Sequence, residues 1–392
     1  MHFVIVGGGV AGITAALELA KRRLGKVSVY SDETYPYYYR PQLTEFLAGG
    51  ITLERLLRRD LAWYKGRGID VYLGRSVTRV EPDVKAIVLV DGTRVEYDKL
   101  LLATGSVPFV PPIKGIDKSS VFTWRTLADT LELEQVASSC GKTIVLGGGL
   151  LGLEAARGLL GFCGDVTVLE FFPRLLPRQL DVEGAAVLQR FVESLGMRVV
   201  VDAQTEEILG EHAVTGLRLK DGRKFPAGMV LVAAGVRCQA HLAQEAGLAV
   251  DRGIVVDEYM ATSESDIYAA GDAAVFKGYS WAIAPIAQAQ GRIAATNMAG
   301  DTTAYDVVVP STTLKVVGID VSSVGLVNPE TDDYIEVRVM DAEANLYKKI
   351  VLHRGRIIGS IVINNKVLAK SLENRIAQRE AMTPDQARAL LA

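Results

Sequence analysis

The chain has 392 residues, 49% of them hydrophobic and 23% charged, with a net charge of −3 at neutral pH. That composition can bury the cores of two to three domains and argues against a bulk nucleic-acid binder or a surface drawn to anionic membranes. Three cysteines, Cys140, Cys163 and Cys238, stand far apart without a CxxC or Cys/His cluster, so neither a disulfide framework nor a metal site is expected.

"HFVIV", from His2, reads as a buried strand, and "AGITAALELAKRR" as a helix with small and aliphatic residues at helical spacing before a basic end. "KVSVY" supplies the next strand, completing a βαβ unit of a parallel sheet. Short strands follow, from "VYLGRSVTRV" to "DKLLLATG", with a turn at Asp91 and Gly92. Residues 143 to 170 then repeat the opening plan as "TIVLGG", "LGLEAARGLLGF" and "DVTVLE", and a second run of short strands ends in "LVAAG" at Gly235. After Ala304 the stretches "VVVPSTTLKVVGIDVSSVGLV", "YIEVRVM", "LYKKIVLH" and "RIIGSIVI" read as strands, followed by helical "KVLAKSLENRIAQRE" and a last helix opened by Thr383 and Pro384. The expectation is an α/β chain with two Rossmann-like dinucleotide-binding domains and a small C-terminal α+β domain. Residues 1–113 with 246–305 form the first domain, 114–245 the second and 306–392 the third. No leader or membrane-length apolar run is read, so a cytoplasmic protein is expected, binding neither membrane nor nucleic acid.

Each unit carries GxGxxG. The first glycine permits a tight turn, the second lets backbone approach a pyrophosphate, and the third lets helix and strand pack closely, while the helix N-terminus supplies N–H donors and partial positive charge. The candidate phosphate-binding residues are Gly7, Gly9, Val10, Ala11 and Gly12, then Gly147, Gly149, Leu151 and Gly152. A ribose-holding acid is expected some twenty residues further on. Glu170 stands 23 residues after Gly147 and favours NADH, since a carboxylate repels a 2′-phosphate; Arg174 and Arg178 nearby keep NADPH open. In the first unit the place falls to Ser31 and Asp32, with Glu33 next.

The landmarks "GGGVAG", "LLATGS", "GGGLLGLE" and "TSESDIYAAGDAA", in this order, resemble the two-dinucleotide-fold flavoprotein disulfide reductase superfamily, of glutathione-reductase-like architecture, over essentially the whole chain. The resemblance implies FAD on the first turn and a nicotinamide nucleotide on the second, so that hydride passes between their rings. It implies contacts to FAD from Ala103, Thr104, Gly105, Gly271 and Asp272, the last on the ribityl chain, and from Arg125 and Val77. It implies Glu154 beside the nicotinamide carboxamide, with Gly235 closing the second half. A helix starting near Pro285 would aim its positive end at the flavin.

Branches of the superfamily differ in the electron acceptor. "YPYYYRPQLTEFLAGG", Tyr35 to Gly50, has no cysteine where disulfide reductases carry CxxxxC, so thiol relay in its usual form is excluded. With Arg40 and Pro41, the stretch resembles "RPxLS" of ferredoxin, rubredoxin and nitrite reductase flavoproteins, departing at Glu45 where many ferredoxin reductases have lysine. Together with "PSTTLKVVGIDVSSVG" this resembles the NADH:rubredoxin oxidoreductases, with Lys315 as an alternative cation near the flavin. The implied activity is FAD-dependent transfer from NADH to a small carrier protein such as rubredoxin or ferredoxin. The cofactors do the chemistry, and no side chain acts as a catalytic acid, base or nucleophile. An NADH oxidase or other diaphorase-type flavoenzyme, and a redox-responsive flavoprotein working by partner binding, are the alternatives; monomer and homodimer both stay open. The helix read across "LERLLRRDLAWYKGR", at +3, and the segment from Asp341 onward, at +4, are the candidate surfaces for an acidic partner.

Overall fold

The computed structural model describes residues 1–306, 311–331 and 333–392, the side chains of 311–316 excepted, so the side chain of Lys315 lies outside the described residues. Among them are seven helices of eight or more residues: α1 (Val10–Arg22), α2 (Leu127–Cys140), α3 (Leu150–Cys163), α4 (Val182–Ser194), α5 (Ala284–Met298), α6 (Lys366–Ala377) and α7 (Pro384–Leu391). The chain divides into two compact units, Met1–Phe109 with Val236–Val308, and Val110–Gly235 with Val309–Ala392.

In the first unit a five-stranded parallel sheet runs in the order Ile267–Ala269, Lys99–Leu102, His2–Val6, Lys26–Tyr30, Ile69–Tyr72. Phe3, Val4 and Ile5 are wholly buried, which explains the unbroken apolar run of the first strand: a parallel strand is covered on both faces. Helices α1 and α5 cross closely on this sheet. A Cβ built on Gly291 would lie 2.4 Å from the Ala11 carbonyl oxygen, so only glycine permits the approach. A three-stranded antiparallel sheet, Val77–Glu81, Ala86–Leu89 and Arg94–Glu96, completes the unit's strand-rich insertion.

The second unit repeats the plan: Arg198–Val200, Asp165–Leu169, Lys142–Leu146, Met229–Val232 and Val121–Thr123 form its parallel sheet. Even the backbone bonds match. Gly7 N donates to Tyr30 O and Gly147 N to Leu169 O, both at 2.8 Å, while Ala103 N donates to Val6 O and Ala233 N to Leu146 O, again both at 2.8 Å. The same unit holds a five-stranded antiparallel sheet from residues 311 to 363, against which Leu368, Leu372 and Ile376 of α6 and Ala387 and Leu391 of α7 pack.

One expected helix is broken. The basic stretch 53–67 is two short helices, Leu53–Leu56 and Leu61–Lys65, because Asp60 takes an extended backbone and accepts a 2.8 Å bond from Trp63 N as a new N-cap. No helix among the described residues is long and apolar enough to cross a membrane.

Candidate functional site

The two glycine turns are built by the same collisions. At Gly7 (φ +113°) an added Cβ would meet Ala103 O at 2.1 Å, and at Gly147 (φ +121°) it would meet Ala233 O at 2.4 Å. Gly12 and Gly152 each bring their helix to 2.0 Å, measured from a built Cβ, of the carbonyl oxygen of Gly7 or Gly147. The middle glycines differ. Gly149 faces open space, whereas Gly9 faces Arg40 Nη1 at 3.1 Å.

Both turns leave their helix ends unsatisfied. Gly9 and Gly149 are the N-caps of α1 and α3, neither offers a side-chain acceptor, and neither helix has an acid in its first turn. The same holds for α5, which opens at Ala284–Pro285 behind the N-cap Ile283. By contrast α2, α4, α6 and α7 are capped by Thr126, Asp181, Asn365 and Thr383. The three long helices that the sequence assigned to cofactors are therefore the three whose N–H groups and positive ends have no side-chain cap, which suits a phosphate or an electron-rich ring.

Around the first turn, Ser31 is buried, its hydroxyl 3.0 Å from a Cβ built on Gly8 and accepting from Glu33 N at 3.2 Å; Asp32 is exposed. Glu33, read only as a neighbour in sequence, binds both Tyr38 Oη and Arg40 Nη2. Burial opposes the charge on Arg40, but Glu33, Tyr38, Asp272 and Asp32 outweigh it and raise its pKa, so the guanidinium stays ionised beside Gly9. Its buried Nε has no hydrogen-bond partner among the described residues. That leftover donor beside an uncapped turn fits a bound pyrophosphate. Pro41 lies exposed in the following turn, and Val77 packs half-buried on the core.

Asp272 sits in the helical turn Gly271–Ala273, where Ser106 Oγ donates to its Oδ2 at 2.8 Å. Gly271 (φ +77°) donates its N–H to buried Gln290 Oε1 at 2.9 Å, anchoring the turn on α5. Thr104 Oγ1 donates to Gln239 O at 2.6 Å, and Gly105 takes φ +76°. Ser106, Gln239 and Gln290 are supports that motif matching missed, since none lies inside a glycine motif except Ser106, at the end of "ATGS".

Around the second turn, Glu170 is 5% exposed, with Oε2 accepting from Gly148 N at 2.5 Å and Oε1 from Phe172 N at 2.8 Å. The carboxylate thus fixes the turn while each oxygen keeps further acceptor capacity for a sugar hydroxyl. Arg174 is committed elsewhere, donating to Leu180 O and Pro177 O at 3.1 Å each. Glu154 Oε1 accepts from Val317 N at 2.8 Å, and Leu151 is 36% exposed on the first turn of α3. Gly235 (φ +106°) ends the Ala233–Gly235 segment. Arg125 belongs to this second unit, where its N–H donates to Asp129 Oδ2 at 2.7 Å at the head of α2.

Cys140 and Cys163, apart in sequence, have their sulfurs 3.4 Å apart, because α2 and α3 end side by side. All three cysteines are free, and none of the described residues forms a cluster of three or more metal-binding side chains.

A family model for the pyridine nucleotide-disulphide oxidoreductases matches residues 1–299. The chain belongs to that family. A second model, the rubredoxin NAD+ reductase C-terminal domain, matches residues 310–380. Within the family the chain is similar to "Nitrite reductase [NAD(P)H]" of Bacillus subtilis, 38% identical over 97% of this chain and 47% of the relative. The chain thus spans about half the length of that relative. It is 29% identical to "NADH-rubredoxin oxidoreductase" of Clostridium acetobutylicum over 95% of this chain and 93% of the relative. Among solved structures, a covalent putidaredoxin reductase–putidaredoxin complex aligns with a TM-score of 0.88 at 27% identity, covering 100% of this chain and 95% of the other.

Proposed function

We propose that the protein is an FAD-dependent oxidoreductase that takes hydride from NADH and passes electrons to a small electron-carrier protein of the rubredoxin or ferredoxin type. The observation that carries it is the pair of uncapped glycine-turn helices, identical in backbone bonding, of which only the second is followed by a buried acid at the ribose position, Glu170. In this reading the Gly7–Gly12 turn, Ser31, Arg40 and Asp272 hold FAD, and the uncapped end of α5 at Pro285 supports charge on its ring. The Gly147–Gly152 turn, Glu170 and Glu154 hold NADH, and the commitment of Arg174 to backbone carbonyls favours NADH over NADPH. Bound FAD supplies hydride acceptance and onward electron transfer. The residues bind and orient the two nucleotides, and no acid, base or nucleophile is assigned.

For the carrier, the support is the match of residues 310–380 and a basic surface in the first unit. There Arg59 and Arg67 place their guanidinium carbons 3.9 and 3.6 Å from the Trp63 ring centroid. Arg55, Arg58, Arg59 and Arg67 have no carboxylate partner among the described residues, so their charge is free to steer an acidic protein. The C-terminal excess is a poorer surface than its sum suggests: Lys348 and Lys349 are buried, and Lys366, Lys370, Arg375 and Arg388 are paired with acids.

A second reading is favoured by the 38% identity to about half of a nitrite reductase: delivery of electrons to a partner domain or subunit that reduces an inorganic ion. Anaerobic NADH titration of the FAD-loaded protein, followed by steady-state rates with rubredoxin, ferredoxin, dioxygen and a quinone, separates the readings. Rapid bleaching and a rate with rubredoxin far above that with dioxygen are expected. Bleaching without carrier turnover would leave the reductase and remove the rubredoxin-type acceptor. A protein that retains no FAD would end both readings.

A further inference from the structure

Cys140 ends α2 and Cys163 ends α3, and both are half-buried. Their sulfurs, 3.4 Å apart, share the hydroxyl of Thr143, which lies 3.2 Å from Cys140 Sγ and donates to Cys163 Sγ at 3.0 Å. Both thiols also reach the carbonyl oxygen of Ala137, at 3.4 and 3.5 Å. No part of the proposed nucleotide chemistry uses them. A disulfide needs sulfurs about 2.05 Å apart, so bond formation asks for an approach of roughly 1.4 Å between two side chains already directed at one another.

We infer that Cys140 and Cys163 form a reversible dithiol–disulfide site, closed by hydrogen peroxide and reopened by a small dithiol that leaves as its own disulfide. The Cys140 sulfur attacks a peroxide oxygen and the O–O bond breaks, leaving a sulfenic acid, while the departing hydroxide takes up the thiol proton and leaves as water. The Cys163 sulfur then attacks the sulfenic sulfur: the S–S bond forms, the S–O bond breaks, and the hydroxyl leaves with the Cys163 proton as a second water. Two thiols are oxidised and one peroxide is reduced. Both sulfurs are half-buried and share the Thr143 hydroxyl and the Ala137 carbonyl, so the same two steps balance with their roles exchanged.

The placement gives the bridge a consequence. The two residues are 23 apart in sequence and enclose strand Lys142–Leu146, the whole Gly147–Gly152 turn and α3 up to its final residue. The bond therefore ties together both ends of the second glycine-turn segment, on the side away from its phosphate-facing turn.

The test is to treat the full chain with a small excess of hydrogen peroxide, alkylate it and digest it without reduction. Lys142 and Arg157 lie between the cysteines, so a tryptic digest separates them unless they are linked. The expected result is a loss of two hydrogens from the intact mass, a Cys140–Cys163 linked peptide, alkylation at Cys238 only, and recovery of all three thiols with dithiothreitol. In Cys163→Ser the linked peptide is lost and a dimedone adduct accumulates at Cys140. Three free thiols after treatment, or sulfinic acid at Cys140 in the wild-type chain without a linked peptide, would overturn the inference.

Discussion

Glu170 Oε2 accepts a 2.5 Å hydrogen bond from the backbone N–H of Gly148, so the carboxylate proposed to select the nucleotide also holds the shape of the turn that binds it. Replacing it by alanine removes acceptors from two buried or half-buried N–H groups, including that of Phe172. Hydrogen bonds to charged groups contribute about 1.5–3 kcal/mol each, and the orphaned donors make the loss asymmetric. Glu170→Ala is expected to raise the KM for NADH at least about tenfold with a smaller change in kcat. Glu170→Gln, which keeps one acceptor, should lie between the two, and NADPH should gain relative to NADH in both. Steady-state kinetics with each nucleotide checks this. An unchanged NADH KM in Glu170→Ala would remove the residue from the site.

Two glycines three residues apart should respond differently to the same methyl group. Gly152→Ala drives a Cβ to 2.0 Å from Gly147 O and 3.3 Å from the Ala233 side chain, in a wall of backbone that cannot yield. Overpacking of this kind typically costs about 1–3 kcal/mol or more, so the thermal midpoint should fall by several degrees. Gly149→Ala meets nothing within 4 Å and keeps an extended N-cap backbone at φ −76°. Its stability should fall by no more than about 1 kcal/mol, the usual scale of an N-cap change, while NADH affinity drops about tenfold or more because the methyl occupies the phosphate's approach. Calorimetry and NADH titration on the two variants separate folding from binding.

Much of this was legible because the duplicated turns are local. Strand, GxGxxG and helix occupy fewer than thirty consecutive residues, and their periodicity and glycine spacing follow from sterics alone. Thr383 and Pro384 likewise open α7 with a full capping box, as their types predict. The residues that escaped are those whose role depends on distant chain. Ser106 meets Asp272 across 166 residues, and Cys140 meets Cys163 only because two helices end together. The break of the basic stretch at Asp60 also escaped, since the N-cap bond to Trp63 N competes with a continuous helix that the spacing alone allows.

Asp272 gives a test of the first nucleotide position. It is held by Ser106 Oγ at 2.8 Å, and the turn carrying it is held independently by Gln290 at Gly271 N, so the backbone survives loss of the carboxylate. Asp272→Ala should therefore fold and purify with a greatly reduced flavin-to-protein absorbance ratio, while Ser106→Ala keeps more FAD than Asp272→Ala. Full flavin content in Asp272→Ala would remove the carboxylate from the FAD site.

The last relationship governs stability in acid. Lys349, 2% exposed, lies 2.9 Å from both Asp181 Oδ2 and Glu336 Oε1, and Tyr347 Oη donates to Asp181 at 2.6 Å. Burial works to raise the Asp181 pKa, but the Tyr347 hydroxyl, the Gly184 N–H and the Lys349 ammonium outweigh it and hold it below the ordinary carboxylate value. A depressed folded-state pKa contributes stability that is complete above the unfolded value, near 3.9, and is lost as pH falls through the folded value. The wild-type thermal midpoint should thus drop steeply below about pH 4, and Asp181→Asn, less stable at neutral pH, should lose part of that dependence. Lys349→Met leaves the half-buried Asp181 without its cation, while Glu336 keeps Arg338, and should cost about 1.5–3 kcal/mol at pH 7, with partial recovery relative to wild type as Asp181 protonates. Parallel pH–midpoint curves for wild type and Asp181→Asn would show that Asp181 does not carry the acid limb.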